Sequence, residues 1–523
     1  MSRRLNDKRP FRSPSMRHIV IILLASVAFV SRASSAATLY ANPGDTLDTI
    51  INGMSPGDTL ILNSGTYTSD GEHINNLNGT VSLPITIMGS ADGAVIVEGT
   101  YSVNVFDFLN CSYIVLKDME IRHGSNTVKF NTTGTSHHMT LQNLKLHDTS
   151  GVCIAGSYGG HHHITISDCE IYDTGMNSSN TGEGIYLSYW DAPVDYITIE
   201  RCWIHNLHGT QTDGLEFKYV RNTIVRDNVI IGTGQNFPCI KIESADDSTR
   251  TNLVERNICI NGSAGVETYG DCIVRNNIVL NCEFGIYSRD NSDNAPANYP
   301  LRNVHIINNT VYNCSDSCLR LSGWTDKTGL EILGNAFYQP TLSKYAIYIG
   351  GDPSELSGVS IADNHYYGNE YGNYFDLNLG TGFILSDPPD DTFVDPDSRN
   401  FFPLETSSLI DAASATYAPA NDFIKTARPQ GAADDVGALE WNSPNASGFS
   451  IPSTGGFLDD IIAGTVPPPD PPDEKKPKSG CVLAPVSSAR DSFAAGFAFL
   501  IAAFAVRRIR RTCLGRRLYR EIK

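Results

Sequence analysis

Three things are missing from this sequence of 523 residues, and each removes a class of protein. No long stretch before residue 480 has helical periodicity, which argues against a helical core. Twelve cysteines are present, yet none forms a CxxC pair and no zinc-type spacing occurs, which argues against a metal framework built on them. Several fall where a stacked small apolar residue is expected, so most read as core thiols. The third absence is a basic footprint. The net charge is −18; residues 1–37 hold seven basic residues and one acidic, residues 482–523 hold nine and two, so residues 38–481 carry −31. A body this acidic is not expected to bind nucleic acid or an anionic membrane surface, since both need clustered cations.

The two ends differ from the body. Residues 16–37, "MRHIVIILLASVAFVSRASSAA", have a basic start, an apolar core and a small-residue finish, the form of a secretory signal over residues 1–37. A transmembrane anchor is the rival reading. Residues 443–480 include "PPPDPPDEKKPK", a spacer expected to be extended and disordered. Residues 481–523 carry Cys481, an apolar run from Ser492 to Val506 and a basic cluster. That run is shorter than the ~20 residues that span a bilayer comfortably, and the cations after it suit a cytoplasmic end. An exported protein held at the cell surface by its C-terminus is expected.

Present instead is a repeat. "IVLKDMEIRH" (114–123), "MTLQNLKLHD" (139–148), "ITISDCEIYD" (164–173) and "ITIERCWIHN" (197–206) align, and six further copies follow to "VSIADNHYY" (359–367). The sixth position of the frame is Met119, Leu144, Cys169, Cys202, Asn228, Asn257, Asn277, Asn309, Asn335 and Asn364, at steps of 20–33 residues. A second strand set lies between the copies, including "GVCIA" (151–155), "GIYLS" (184–188), "GLEFK" (214–218), "CIKIE" (239–243), "GVETY" (265–269) and "GIYSR" (285–289). Short strands at this spacing mark a solenoid. The Asn run is expected to be an inward amide ladder at a sharp bend, with Asn supplying the left-handed backbone. The fold class is therefore all-β, a single-stranded right-handed parallel β-helix over residues 38–442, expected to be a monomer.

These repeats resemble those of the pectate lyase-like β-helix superfamily. The opening "ANPGDTLDTIINGMSPGDTLILNSGTYTSDGEHINNLNGTVSLPITIMGSADGAVIVEG" (41–99) is similar to the start of the chondroitinase B and alginate lyase family. Residues 393–441 resemble the closing segment of exported bacterial β-helix proteins. The tail resembles the tripartite sorting signals of bacterial surface proteins, which implies processing at Cys481; a plain tail anchor is the alternative.

In a parallel coil, equivalent residues stack about 4.8 Å apart. The outward positions then form two columns: Lys129, Cys153, Tyr186, Glu216, Lys241, Glu267, Tyr287, Arg320, and beside it Asn131, Ala155, Ser188, Lys218, Glu243, Tyr269, Arg289, Ser322. Long connections at 173–183, 207–213, 244–252 and 289–303 border this face, where sites are usually built. Tyr189, Trp190, Tyr299 and Trp324 sit in such connections and could stack on sugar rings. The pattern suits uronate chemistry on an acidic polysaccharide: Asp213, Glu216, Glu243 and Glu267 as Ca²⁺ ligands, Lys218 or Lys241 as base, Tyr269 as acid or alternate base, and Arg289 as carboxylate clamp. Tyr186, Tyr287, Arg320 and Trp190 would bind substrate.

The family's metal strand reads acid–apolar–acid, followed by a catalytic Lys and, one coil on, an Arg. Here Lys241 stands where the first acid would, Glu243 matches the second, no Lys follows, and Tyr269 replaces the Arg. One coil earlier, Glu216 fits the first acid and Lys218 the second position. No role is carried over outright. A hydrolase or epimerase on the same face, with Asp213 and Glu243 or Glu267 as paired acids, is one alternative; a surface adhesin with a purely structural ion-pair ladder is another. "HHHITIS" (161–167) reads as a solvated turn rather than a metal site, since alternation lets at most His161 and His163 share a face and no third ligand is evident. His205 and His208 read as exposed, with acid/base work the alternative.

Overall fold

A computed structural model describes residues 36–465, except 157, 177–180, 190–191, 234–236, 245–250, 291–301, 323–327, 342, 351–358, 373–381 and 444–448. The secretory segment, most of the Pro-rich spacer, Cys481 and the apolar tail lie outside these residues, as do Trp190, Tyr299 and Trp324. The described chain is a right-handed parallel β-helix. A short helix, Leu47–Asn52, buries Leu47 and Ile51 at its start. From there one 36-stranded parallel sheet wraps around the coil.

Each turn contributes three strands. In one, Ile224–Arg226, Val229–Ile231 and Ile240–Ser244 stack on Asn252–Glu255, Ile258–Ile260 and Ala264–Thr268 of the next. Side chains alternate in and out, so Val225, Ile230 and Ile240 fill the lumen above Val254, Cys259 and Val266. All ten described cysteines are free and buried, so they serve as small apolar wedges between aliphatic neighbours.

The amide ladder forms as the spacing requires. Asn228, Asn257, Asn277, Asn309 and Asn335 each donate Nδ2–H to Oδ1 of the next Asn at 2.8–3.0 Å, ending on Asn364. All six are fully buried, and each Oδ1 also accepts a backbone N–H from the preceding coil. The left-handed residue at the bend, however, is the one before the ladder: Asp227, Arg256, Asn276, Asn308, Gly334 and Asp363 have φ of 50–64°. The ladder Asn is chosen for its two-sided amide; its predecessor takes the backbone kink.

The chain then doubles back. Phe393, Phe401, Phe402, Phe423 and Phe449 cover the outward Val229, Ile258, Ile260, Ile278, Leu280 and Tyr338 of the middle strands. Arg428 and Glu440 form a buried ion pair beneath this layer, and Arg428 also donates to the carbonyls of Asp435 and Gly437 at 2.9 and 2.8 Å. Packing continues past residue 442: Ile451, Leu458 and Ile461 are buried in the same layer, the last two on the helix Leu458–Ala463. The spacer thus starts later than composition suggested, because the Pro-rich run begins only after residue 465.

Candidate functional site

The third strand of each turn builds a separate outer face. Backbone pairing aligns Lys129, Ala155, Tyr186, Glu216, Lys241, Glu267, Tyr287, Arg320 and Tyr348 in one column. Ala155, not Cys153, faces Lys129 and Tyr186. Cys153 takes the position that Gly184 and Gly214 hold in later coils, with Sγ 3.2 Å from Thr127 Oγ1. Extra turn residues before it had shifted the alignment by two. The second column is bent: Phe217 pairs with Ile242 and Val220 with Ser244, so Lys218 and Tyr219 together oppose Glu243. Ser188 Oγ accepts both of their N–H groups, at 3.0 and 3.2 Å.

These outward residues are deeply covered. Glu216 is 4% exposed, Glu243 3% and Tyr269 3%, so their charges are little screened. Lys241 Nζ lies 3.1 Å from Glu216 Oε1 and 3.0 Å from Glu243 Oε1. Burial alone would lower its pKa, but Glu216 and Glu243 outweigh that and raise it. Lys241 is held as an ammonium ion, so the expected base role does not fit it; it bridges two carboxylates instead. Lys218 Nζ lies 3.4 Å from Glu216 Oε1 and 5.0 and 5.5 Å from the ring centres of Tyr186 and Tyr189.

On the next coils, Tyr269 donates its hydroxyl to Glu267, and Arg289 donates to Glu267 Oε1 and Tyr269 Oη at 3.1 and 2.7 Å. Burial and then Glu267 raise the Tyr269 pKa, which suits a fixed donor better than an acid–base group. Arg289 stacks over Tyr287, and Arg320 packs 4.4 Å over Tyr348 while bonding Asp316. Arg289 and Arg320 thus line the groove as cations over aromatic rings.

One participant had escaped the repeat analysis. Glu183 and Asp213 stack just before the glycines that open consecutive strands, Gly184 and Gly214. Glycine is required there, because a Cβ on Gly214 would lie 2.5 Å from the Cys239 carbonyl oxygen. One carboxylate oxygen each from Glu183, Asp213 and Glu216 lie within 4.8 Å of one another, all buried. Glu183 Oε1 and Asp213 Oδ1 have no hydrogen-bond partner. Burial pushes Glu183 up to about 7, with Glu216 adding to it. Burial, then Glu216, raises Asp213 well above the usual carboxylate range. The available signal was an acid directly before a strand-opening glycine in two successive coils, "EGI" and "DGL".

Of the four carboxylates expected to share a metal, Asp213 and Glu216 come together with Glu183. Glu243 and Glu267 are engaged by Lys241 and by Tyr269 with Arg289. Five carboxylates (Glu183, Asp213, Glu216, Glu243, Glu267) face three cations (Lys218, Lys241, Arg289) in this patch. Protons or a divalent cation would balance the excess. Unpartnered carboxylate oxygens fit a hard cation such as Ca²⁺.

Residues 126–303 match the family model described as "Right handed beta helix region". No curated protein matches the chain. Among solved structures, a mutant of the PL6 family alginate lyase AlyGC is 15% identical with a TM-score of 0.46; the likeness covers 72% of this chain and 58% of that one. The pectate lyase Pel9A is 14% identical with a TM-score of 0.46, covering 78% and 97%. XylC, solved with xylose, is 11% identical with a TM-score of 0.48, covering 77% and 99%. Likenesses this distant assign no activity to this chain.

Proposed function

We propose that this protein is a carbohydrate-active β-helix that binds an acidic polysaccharide along the third-strand face and cleaves it by β-elimination. The observation that carries the reading is the buried meeting of Glu183, Asp213 and Glu216, with two unpartnered oxygens, beside Lys218. These three acids would hold Ca²⁺, which when bound supplies the positive charge that neutralises a uronate carboxylate and acidifies its C5 proton. Lys218, stacked over Tyr186 and close to Glu216, is the base this reading favours. Lys241 stays charged and holds Glu216 and Glu243 in place. Arg289 and Arg320, over Tyr287 and Tyr348, would bind neighbouring uronate carboxylates and sugar faces.

A second reading rests on the Glu183 pKa of about 7, raised first by burial. A carboxyl that keeps its proton near neutrality beside the ion-paired Glu216 is also the acid–base pairing of a glycoside hydrolase. Incubation with alginate, pectate and glycosaminoglycans separates the two. Absorbance of unsaturated uronates, lost on adding chelator and restored by Ca²⁺, is the outcome expected. New reducing ends without that absorbance mean hydrolysis, and retention on a polysaccharide column without product means an adhesin. In the cell, the segments 1–37 and 481–523 would export the protein and hold it at the surface.

A further inference from the structure

A second cluster lies on the first strands of the early coils, away from the acidic groove. Alternation fails in "HHHITIS". His161 points into the lumen, where its Nδ1 accepts the Ser136 N–H at 3.0 Å beside Phe130. His163 adopts φ 55° and His138, one coil earlier, φ 53°. This kink turns each of them back beside its neighbour on the outer surface. His162 pairs with His137 across the strands His162–Ser167 and His137–His147.

Four imidazoles are thereby gathered from two coils. His137 stacks on His162 with centroids 4.8 Å apart, and His138 stacks on His163 at 4.3 Å. The second stack continues into Tyr113 at 4.4 Å and Tyr196 at 4.5 Å, fixing both ring planes. Within each coil the two Nδ1 atoms share a hydrogen bond of 2.8 Å, one ring donating N–H and the other accepting, His137 with His138 and His162 with His163. One ring nitrogen each from His137, His138 and His162 lie within 4.8 Å of each other.

We propose that His137, His138 and His162, with His163 beside them, form a binding site for a divalent transition metal ion such as Zn²⁺. Imidazole nitrogen is a borderline-soft ligand that suits Zn²⁺, Ni²⁺ or Cu²⁺ rather than Ca²⁺. Zn–N bonds of about 2.0–2.1 Å place two tetrahedral ligand nitrogens roughly 3.3 Å apart, so an ion replacing the proton shared by an Nδ1 pair would open it by about half an ångström. Burial, together with His163, lowers the pKa of His137 and His138. Burial, then His137, does the same for His162. These shifts favour the neutral, ligating form. Three protein nitrogens on a half-exposed surface leave a fourth position for water or a ligand group. The site is independent of the polysaccharide reading.

The test is calorimetric titration of the metal-stripped full chain with Zn²⁺. A His137→Phe/His162→Phe double variant keeps the ring stack and removes two ligands. Wild type is expected to show a class of site that the double variant loses or binds at least about tenfold more weakly. Zn²⁺ is expected to raise the Tm of wild type and of His305→Gln, on a distant coil, but not that of the double variant. Equal Zn²⁺ binding by wild type and the double variant overturns the proposal. Should the double variant fail to fold, Co²⁺ added to wild type decides. Visible bands of imidazole-bound Co²⁺ support the site, and a spectrum no different from the aqueous ion rejects it.

Discussion

On the strand Ile258–Ile260 the outward residues are both isoleucines, buried under Phe-rich C-terminal chain. A few residues further round the same turn, on Ala264–Thr268, the outward residue is Glu267, tied to Tyr269 and Arg289. The two faces share one backbone and one stacking distance, yet they spend their outward positions differently. The covered face buries apolar area, worth roughly 25 cal/mol per Å². The groove face buries more carboxylates than cations, which is unfavourable without a partner. That excess of buried charge is what singles this face out as the candidate site.

The largest effect is expected where the covered face depends on one ion pair. Arg428→Ala would leave Glu440 buried and unpaired, costing about 3–5 kcal/mol. Thermal unfolding should show this as a large fall in Tm; an unchanged Tm would mean that the C-terminal layer is not integral to the fold.

Glu183→Gln on the groove face should do the opposite. Activity on the uronate substrate should fall about 10²-fold or more, with Tm unchanged or higher. Its pH behaviour sharpens the contrast. The Glu183 carboxyl is raised from an ordinary value of 4.5 to about 7, chiefly by burial. Between these values the folded state keeps a proton that the unfolded chain has released, so its contribution to stability is present below about 4.5 and lost as pH rises through about 7. The Gln variant should flatten that part of a Tm-against-pH curve, and Ca²⁺ binding by wild type should strengthen over the same rise.

A smaller loss is expected inside the coil. Asn277→Ala leaves the Asn257 Nδ2–H and the Asn257 N–H without their acceptor, costing about 1–3 kcal/mol in chemical denaturation without changing activity beyond that. The smallest belongs to the groove's far end. Tyr348→Ala removes the ring under Arg320, an effect of about 0.5–1 kcal/mol read as weaker retention on a polyuronate column.

The columns through Tyr186, Glu216, Lys241, Glu267, Tyr287 and Arg320 could be read from the repeat frame, because in-register stacking converts fixed spacing into adjacency. The same logic misplaced Cys153, where extra turn residues broke the frame, and misread the histidines, where a left-handed residue reversed alternation. Glu183 was hidden because it sits in a turn, outside the strand frame that the repeats define, where only the acid-before-glycine pattern of "EGI" and "DGL" marks it. The covered face had left a trace: "ICI" and "IVL" are apolar on both sides, as expected of a strand buried on both faces.

By itself, then, the sequence determined the coil, its inward amide ladder and the polar column of its third strands, since each follows from a local period acting on a stacked backbone. Which acids meet, which lysine stays charged, how four histidines face one another and which outer face is covered were decided only by the tertiary structure. Those outcomes depend on turn geometry and on contacts between residues far apart in the chain, which no local period encodes.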